Sequence, residues 1–139
     1  MNWFLWALLS AFFAGLTAIL AKVGVAGVNS NLATAIRTTV VLVFAWAIAL
    51  VTSKPAAVLE LSRRTWLFLA LSGLATGLSW LCYFRALQLG EASRVAPVDK
   101  LSIVFVIALA AFFLHERFTW HQWLGGGLVV AGAIVLAWK

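Results

Sequence analysis

Acids are scarce in this chain. Four carboxylates, Glu60, Glu91, Asp99 and Glu116, stand against ten Lys and Arg among 139 residues. One cysteine, Cys82, excludes an internal disulfide. The two histidines, His115 and His121, bracket a loop without Cys or carboxylates at matching spacing, so no metal cluster is expected. A phosphate-binding glycine motif and a nucleophile elbow are both missing. Without a positioned nucleophile and base, an enzyme is the least favoured class. No cofactor is implied.

Apolar residues make up most of what remains. The chain is 65% hydrophobic and 10% charged, with a mean hydropathy of +1.07. A small soluble fold cannot hide that much apolar surface. A membrane-spanning helix needs about 20 mostly apolar residues. Five runs meet that need, at residues 3–21, 30–52, 65–88, 95–114 and 120–138. They do not alternate apolar with polar, as strands of a membrane barrel would. The expected fold class is therefore an all-α membrane protein, a bundle of five transmembrane helices. The first run has no basic residue before it and is followed by four more, so it reads as a span and not as a signal peptide. An odd count puts the termini on opposite sides of the bilayer.

Connections are short. Gly24 and Gly27 break the chain between the first two runs, and the longest loop holds Lys54, Pro55, Glu60, Arg63 and Arg64. Gly90 reads as a left-handed cap after the third run. Pro97 falls in the first turn of the fourth, where a missing N–H costs little. Thr119 and Gln122 have the spacing of a capping box before the fifth.

The basic residues lie in these connections, which is not a nucleic-acid footprint. Lys54, Arg63, Arg64 and Arg117 fall on the N-terminal side. Lys22, Arg85, Arg94 and Lys139 fall on the other, with Arg37 and Lys100 nearby but embedded. Such an even division does not orient the chain by the positive-inside rule. Either the rule is noisy in a small protein, or copies insert both ways and pair antiparallel.

A polar group inside a bilayer must face protein or a cavity. On the third run, Ser72, Thr76, Ser79 and Tyr83 share one helix face, bordered by Trp80. These hydroxyls either bond back to their own helix or line a pathway. Gly73 and Gly77 allow close helix approach. The second run places Arg37 beside Thr34 and Thr38; Arg37 either snorkels or meets an acidic group in a wet cavity. Asp99, Lys100 and Ser102 crowd the start of the fourth run. Adjacent helical residues point about 100° apart, so Asp99 and Lys100 are not expected to neutralise each other. Past Gln122 the fifth run has no polar side chain except the indole at each end, and Gly125, Gly126, Gly127 and Gly132 suit packing. Trp123 and Trp138 suit the membrane interface.

Taken together, the passages Gly77-Leu-Ser-Trp80-Leu-Cys-Tyr83-Phe-Arg85-Ala-Leu, Gly90-Glu-Ala-Ser-Arg-Val-Ala-Pro97-Val-Asp-Lys-Leu-Ser102 and His115-Glu116-Arg-Phe-Thr119 resemble the EamA-like domain of the drug/metabolite transporter superfamily. The resemblance covers essentially the whole chain. Most members carry two five-helix units in inverted orientation, ten helices in all; this chain is similar to the single-unit, five-helix subgroup. The resemblance implies alternating access, with four helices of each unit lining a path and the fifth outside. Multidrug relatives use a glutamate in the first helix for proton exchange, and none stands there in this chain. Many relatives have Gly where this chain has His115.

The expected function is a secondary transporter of a small metabolite or drug-like solute in a prokaryotic-type plasma (inner) membrane. Its candidate pathway residues are Arg37, Thr76, Ser79, Trp80, Tyr83, Asp99, Lys100 and Ser102. The expected partners are the lipid bilayer, the solute, and an antiparallel homodimer mate or a second five-helix half. A coupling ion, a proton or another, is left open. The competing reading is a membrane interaction or assembly subunit that transports nothing itself.

Overall fold

The structure, a computed structural model, describes residues 2–53, 58 and 60–138. Lys54, Pro55 and Lys139, which entered the loop and charge readings, lie outside the described residues. Among the described residues six α-helices follow one another: α1 (Trp3–Gly24), α2 (Ser30–Thr52), α3 (Arg63–Leu89), α4 (Ala92–Asp99), α5 (Ser102–Phe113) and α6 (Trp120–Ala137). No strand occurs among the described residues. Among the described residues five stretches are long and apolar enough to cross a membrane, with α4 and α5 together forming the fourth, Ala92–Phe113. Most large apolar side chains point outward: Phe112 is 73% exposed and Val51 87%. Such a surface suits lipid or a partner and does not suit water.

Local chemistry sets the helix ends. Asn29 Oδ1 accepts from the Asn31 and Leu32 amides at 2.9 and 3.3 Å, capping α2. Ser62 Oγ accepts from the Thr65 amide at 3.1 Å at the start of α3. Gln122 Oε1 accepts from the Thr119 amide at 2.7 Å, so the pairing expected before α6 forms. Gly27 makes the turn after α1 at φ 73°, a left-handed conformation that glycine adopts without strain.

Two expectations about helix ends need correction. Gly90 is not left-handed; its carbonyl is taken by Lys22 Nζ at 2.7 Å, and the chain runs on through extended Glu91 into α4. The fourth run does not form a single helix over 95–114. It starts at Ala92, which makes Pro97 an interior residue and not a first-turn one. Having no N–H, Pro97 cannot bond the carbonyl four residues back, and its ring crowds that turn. The backbone tightens just beyond it: Lys100 N bonds Pro97 O at 3.1 Å and Leu101 N bonds Val98 O at 3.0 Å. These three-residue closures separate α4 from α5.

The chain divides into two compact units, Met1–Lys22 with Leu89–Lys139, and Val23–Gln88. In the first, α6 packs chiefly on α4 and also touches α5. A methyl group added to Gly126 would sit 3.0 Å from Ile107 Cδ1. In the second, Val25, Phe84 and Leu87 are buried. There Gln88 Nε2 donates to the Val28 carbonyl at 2.8 Å, while Gln88 Oε1 accepts from Arg85 Nη1 at 2.7 Å.

Candidate functional site

Within the second unit, α2 presents Arg37 to α3. Trp80 and Phe84 are four residues apart on α3, hence on one face, with Tyr83 beside them. The Arg37 guanidinium lies 4.3 Å from the centre of the Trp80 ring and 5.4 Å from that of Phe84. Tyr83 is within electrostatic reach of the same charge. An arginine at the centre of a spanning helix costs about 2.5–3.5 kcal/mol. A cation over an aromatic face recovers about 0.5–1 kcal/mol when exposed and about 2 when desolvated. Arg37 is the eighth of 23 residues in α2, short of the centre, and the two rings offset part of a smaller cost.

The hydroxyls nearby behave differently. Thr34 Oγ1 donates to the Ser30 carbonyl and Thr38 Oγ1 to the Thr34 carbonyl, both at 2.8 Å. On α3, Thr76 Oγ1 donates to the Ser72 carbonyl at 2.9 Å. Each threonine satisfies itself on its own helix, one turn back. Ser79 is exposed.

Asp99, Lys100 and Ser102 lie in the other unit, along the tightened junction of α4 and α5. Contrary to the expectation from helical geometry, Lys100 Nζ approaches Asp99 Oδ2 to 3.4 Å. Lys100 lies in the turn that follows the last residue of α4, and its flexible stem reaches back across that turn. Their side chains are 60% and 40% exposed, and pairs of that kind contribute about 0–1 kcal/mol. The contact leaves both charges available.

The structure thus gathers Arg37, Trp80 and Tyr83 into one cluster and pairs Asp99 with Lys100, while Ser102 opens α5 two residues on. Among the glycines marked for packing, Gly126 is in close contact. Added methyls at Gly73, Gly77, Gly125 and Gly127 would meet nothing within 4 Å. Phe84, 3% exposed, belongs to the Arg37 cluster and was not evident from sequence. Its one signal is the four-residue step from Trp80.

Five apolar spans, with the Arg37 cation of one lying on aromatic faces of another, define a multi-pass cell-membrane protein. The profile of the EamA-like transporter family matches residues 1–138, and the chain belongs to that family. It is similar to an "Uncharacterized transporter in cobO 3'region" of Sinorhizobium sp., with 57% identity over 98% of this chain and 96% of the relative. A probable 4-amino-4-deoxy-L-arabinose-phosphoundecaprenol flippase subunit ArnE of Pseudomonas fluorescens is 33% identical over 60% of this chain and 72% of the relative. A probable terminal-alkyne amino-acid exporter of Streptantibioticus cattleyicolor is 42% identical over 50% of this chain and 24% of the relative. No solved structure matches the chain. The family and these names make the chain a small-solute transporter.

Proposed function

We propose that the chain is one half of a secondary transporter that moves a small metabolite or drug-like solute by alternating access between two five-helix units. One observation carries the reading: the family match runs over a single unit of five spans. Arg37, Trp80 and Tyr83 form the main contact point for the solute, with Thr76 and Ser79 on the same helix. Asp99, Lys100 and Ser102 serve at a break in the fourth span. Gly73, Gly77, Gly125, Gly126 and Gly127 serve helix packing. The other half is a second copy inserted in the opposite sense, or a different five-helix chain. The even division of basic residues supports the first arrangement. The subunit names ArnE and ArnF among the relatives support the second.

The test is flux in proteoliposomes, using solutes selected because they raise the unfolding temperature of the purified protein. Flux by this chain alone is expected, and replacing Tyr83, Asp99 or Lys100 should lower it without preventing insertion. Wild-type flux in all three variants would remove those residues from the pathway. Reporter fusions at the C-terminus should report both orientations. A single orientation in an active homodimer would eliminate the antiparallel arrangement.

The names of the ArnE and ArnF relatives favour a second reading, because each is called a subunit. On that reading the chain assembles with a partner that does the moving. Flux that appears only on adding a second five-helix chain would establish it.

A further inference from the structure

We propose that Arg37 recognises an acidic group, a phosphate or a carboxylate, on the transported solute. The proposal deepens the transport reading and depends on it for the solute's being carried onward; recognition of the acid stands on the geometry alone.

Position comes first. Arg37 is the eighth residue of α2, about 10 Å along the helix from Ser30 at 1.5 Å per residue. On α3, Phe84 lies about 7 Å and Trp80 about 13 Å from the end at Leu89. The bond from Gln88 Nε2 to the Val28 carbonyl places those two helix ends together. A snorkelling arginine on α2 would run toward Ser30, the direction in which helical side chains already lean. The guanidinium instead lies 4.3 Å from the ring centre of Trp80, the residue further from the helix end, and 5.4 Å from that of Phe84. It rests on aromatic faces of α3 that belong to the span.

No internal counter-ion explains this. The single acid between Val23 and Gln88 is Glu60, in the loop at the opposite end of the α2–α3 hairpin. Elsewhere Glu91 pairs with Arg94 at 3.2 Å, and Asp99 with Lys100. Among the described residues, Arg37 has no carboxylate at ion-pair distance and donates no hydrogen bond. Yet no buried side-chain nitrogen or oxygen among them lacks a partner, so the Arg37 nitrogens are accessible. Contact with ring faces leaves the five N–H donors of the guanidinium for another group.

A charge in a low-dielectric span attracts an opposite charge more strongly than one in water. The rigid fork of donors fits a two-oxygen acceptor, which carboxylates and phosphates supply. Arg85, one residue beyond Phe84, adds a second cation toward the same end of α3. A cationic solute would meet repulsion from both.

The probes are phenyl phosphate, benzoate and benzylamine, added to the full chain in neutral phosphatidylcholine nanodiscs and followed by thermal unfolding. The two anions should stabilise the wild type and benzylamine should not. Arg37→Gln should weaken phenyl phosphate about tenfold or more, and Arg37→Lys less, since the charge remains and the fork is lost. If Arg37→Gln does not fold, Trp80→Leu tests the same point by removing the platform. Wild-type affinity for phenyl phosphate in the folded variant, or equal stabilisation by benzylamine, overturns the proposal. Doping the discs with dioleoyl phosphatidic acid separates the sources. Competition with phenyl phosphate supports the acidic-group site and assigns it to lipid headgroups; binding without competition supports it for soluble acids. Uptake of radiolabelled phenyl phosphate then separates the two readings. Arg37-dependent binding without uptake by any pair of halves overturns transport and keeps the site. Uptake unchanged by Arg37→Gln keeps transport and overturns the site.

Discussion

Lys22 and Gly90 are joined directly: the Lys22 ammonium, in the last turn of α1, donates to the Gly90 carbonyl at 2.7 Å across 68 residues of sequence. The contact closes the unit that contains α1, α4, α5 and α6. It also places a cation at a helix C-terminus, where the macrodipole favours one. A charged donor to a carbonyl contributes about 1.5–3 kcal/mol. Lys22→Met should therefore lower the unfolding midpoint in detergent, while Arg94→Gln, which loses only an exposed i,i+3 pair with Glu91, should barely move it.

Gly126 is the glycine in α6 whose added methyl would press on a neighbour, Ile107 Cδ1 at 3.0 Å. Gly126→Val should cost about 1–3 kcal/mol, as overpacking does. Ile107→Ala in the same chain should recover part of that loss, because the clash is with its terminal methyl. Gly125→Ala and Gly127→Ala should behave oppositely in the isolated chain, gaining up to about 1 kcal/mol of helix propensity. A drop in oligomeric state in those two variants, read by crosslinking in membranes, would place the open glycines against a partner.

His115 follows α5 with φ 52°, in the left-handed region. Glycine adopts that conformation without strain. A side chain there carries a penalty of about 1–2 kcal/mol. His115→Gly should raise the unfolding midpoint, less the entropy lost by a freer unfolded chain. His115→Val should lower it further than His115→Ala, since branching at Cβ worsens the strain.

Pro97 separates α4 from α5. Pro97→Ala supplies the missing amide and removes the ring that crowds the preceding turn. Ordinary four-residue bonding should then extend through Lys100 and Leu101, slowing their amide exchange. If the break serves the transport cycle, flux should fall while stability holds or rises.

Much of the architecture was legible in hydropathy. Runs of about 20 apolar residues have one stable form in lipid, because backbone groups there must be satisfied internally. Pro97 was equally visible, but its effect depended on where the helix began. Three more residues at the start, Ala92 to Arg94, turned a tolerated first-turn proline into an interior break. Gly125, Gly126 and Gly127 look alike in sequence, and only the position of Ile107 distinguishes them. Phe84 gave little signal, since one more apolar residue on an apolar helix is ordinary.

Arg37 shows where the boundary falls. Sequence alone determined that a cation lies inside a span and that acids are too few to match the cations. Those facts follow from composition and run length. Whether that cation escapes to the surface was decided by the tertiary structure. The tertiary structure brings Trp80 and Phe84 of α3 under the guanidinium of α2, and two aromatic faces give the charge a reason to stay.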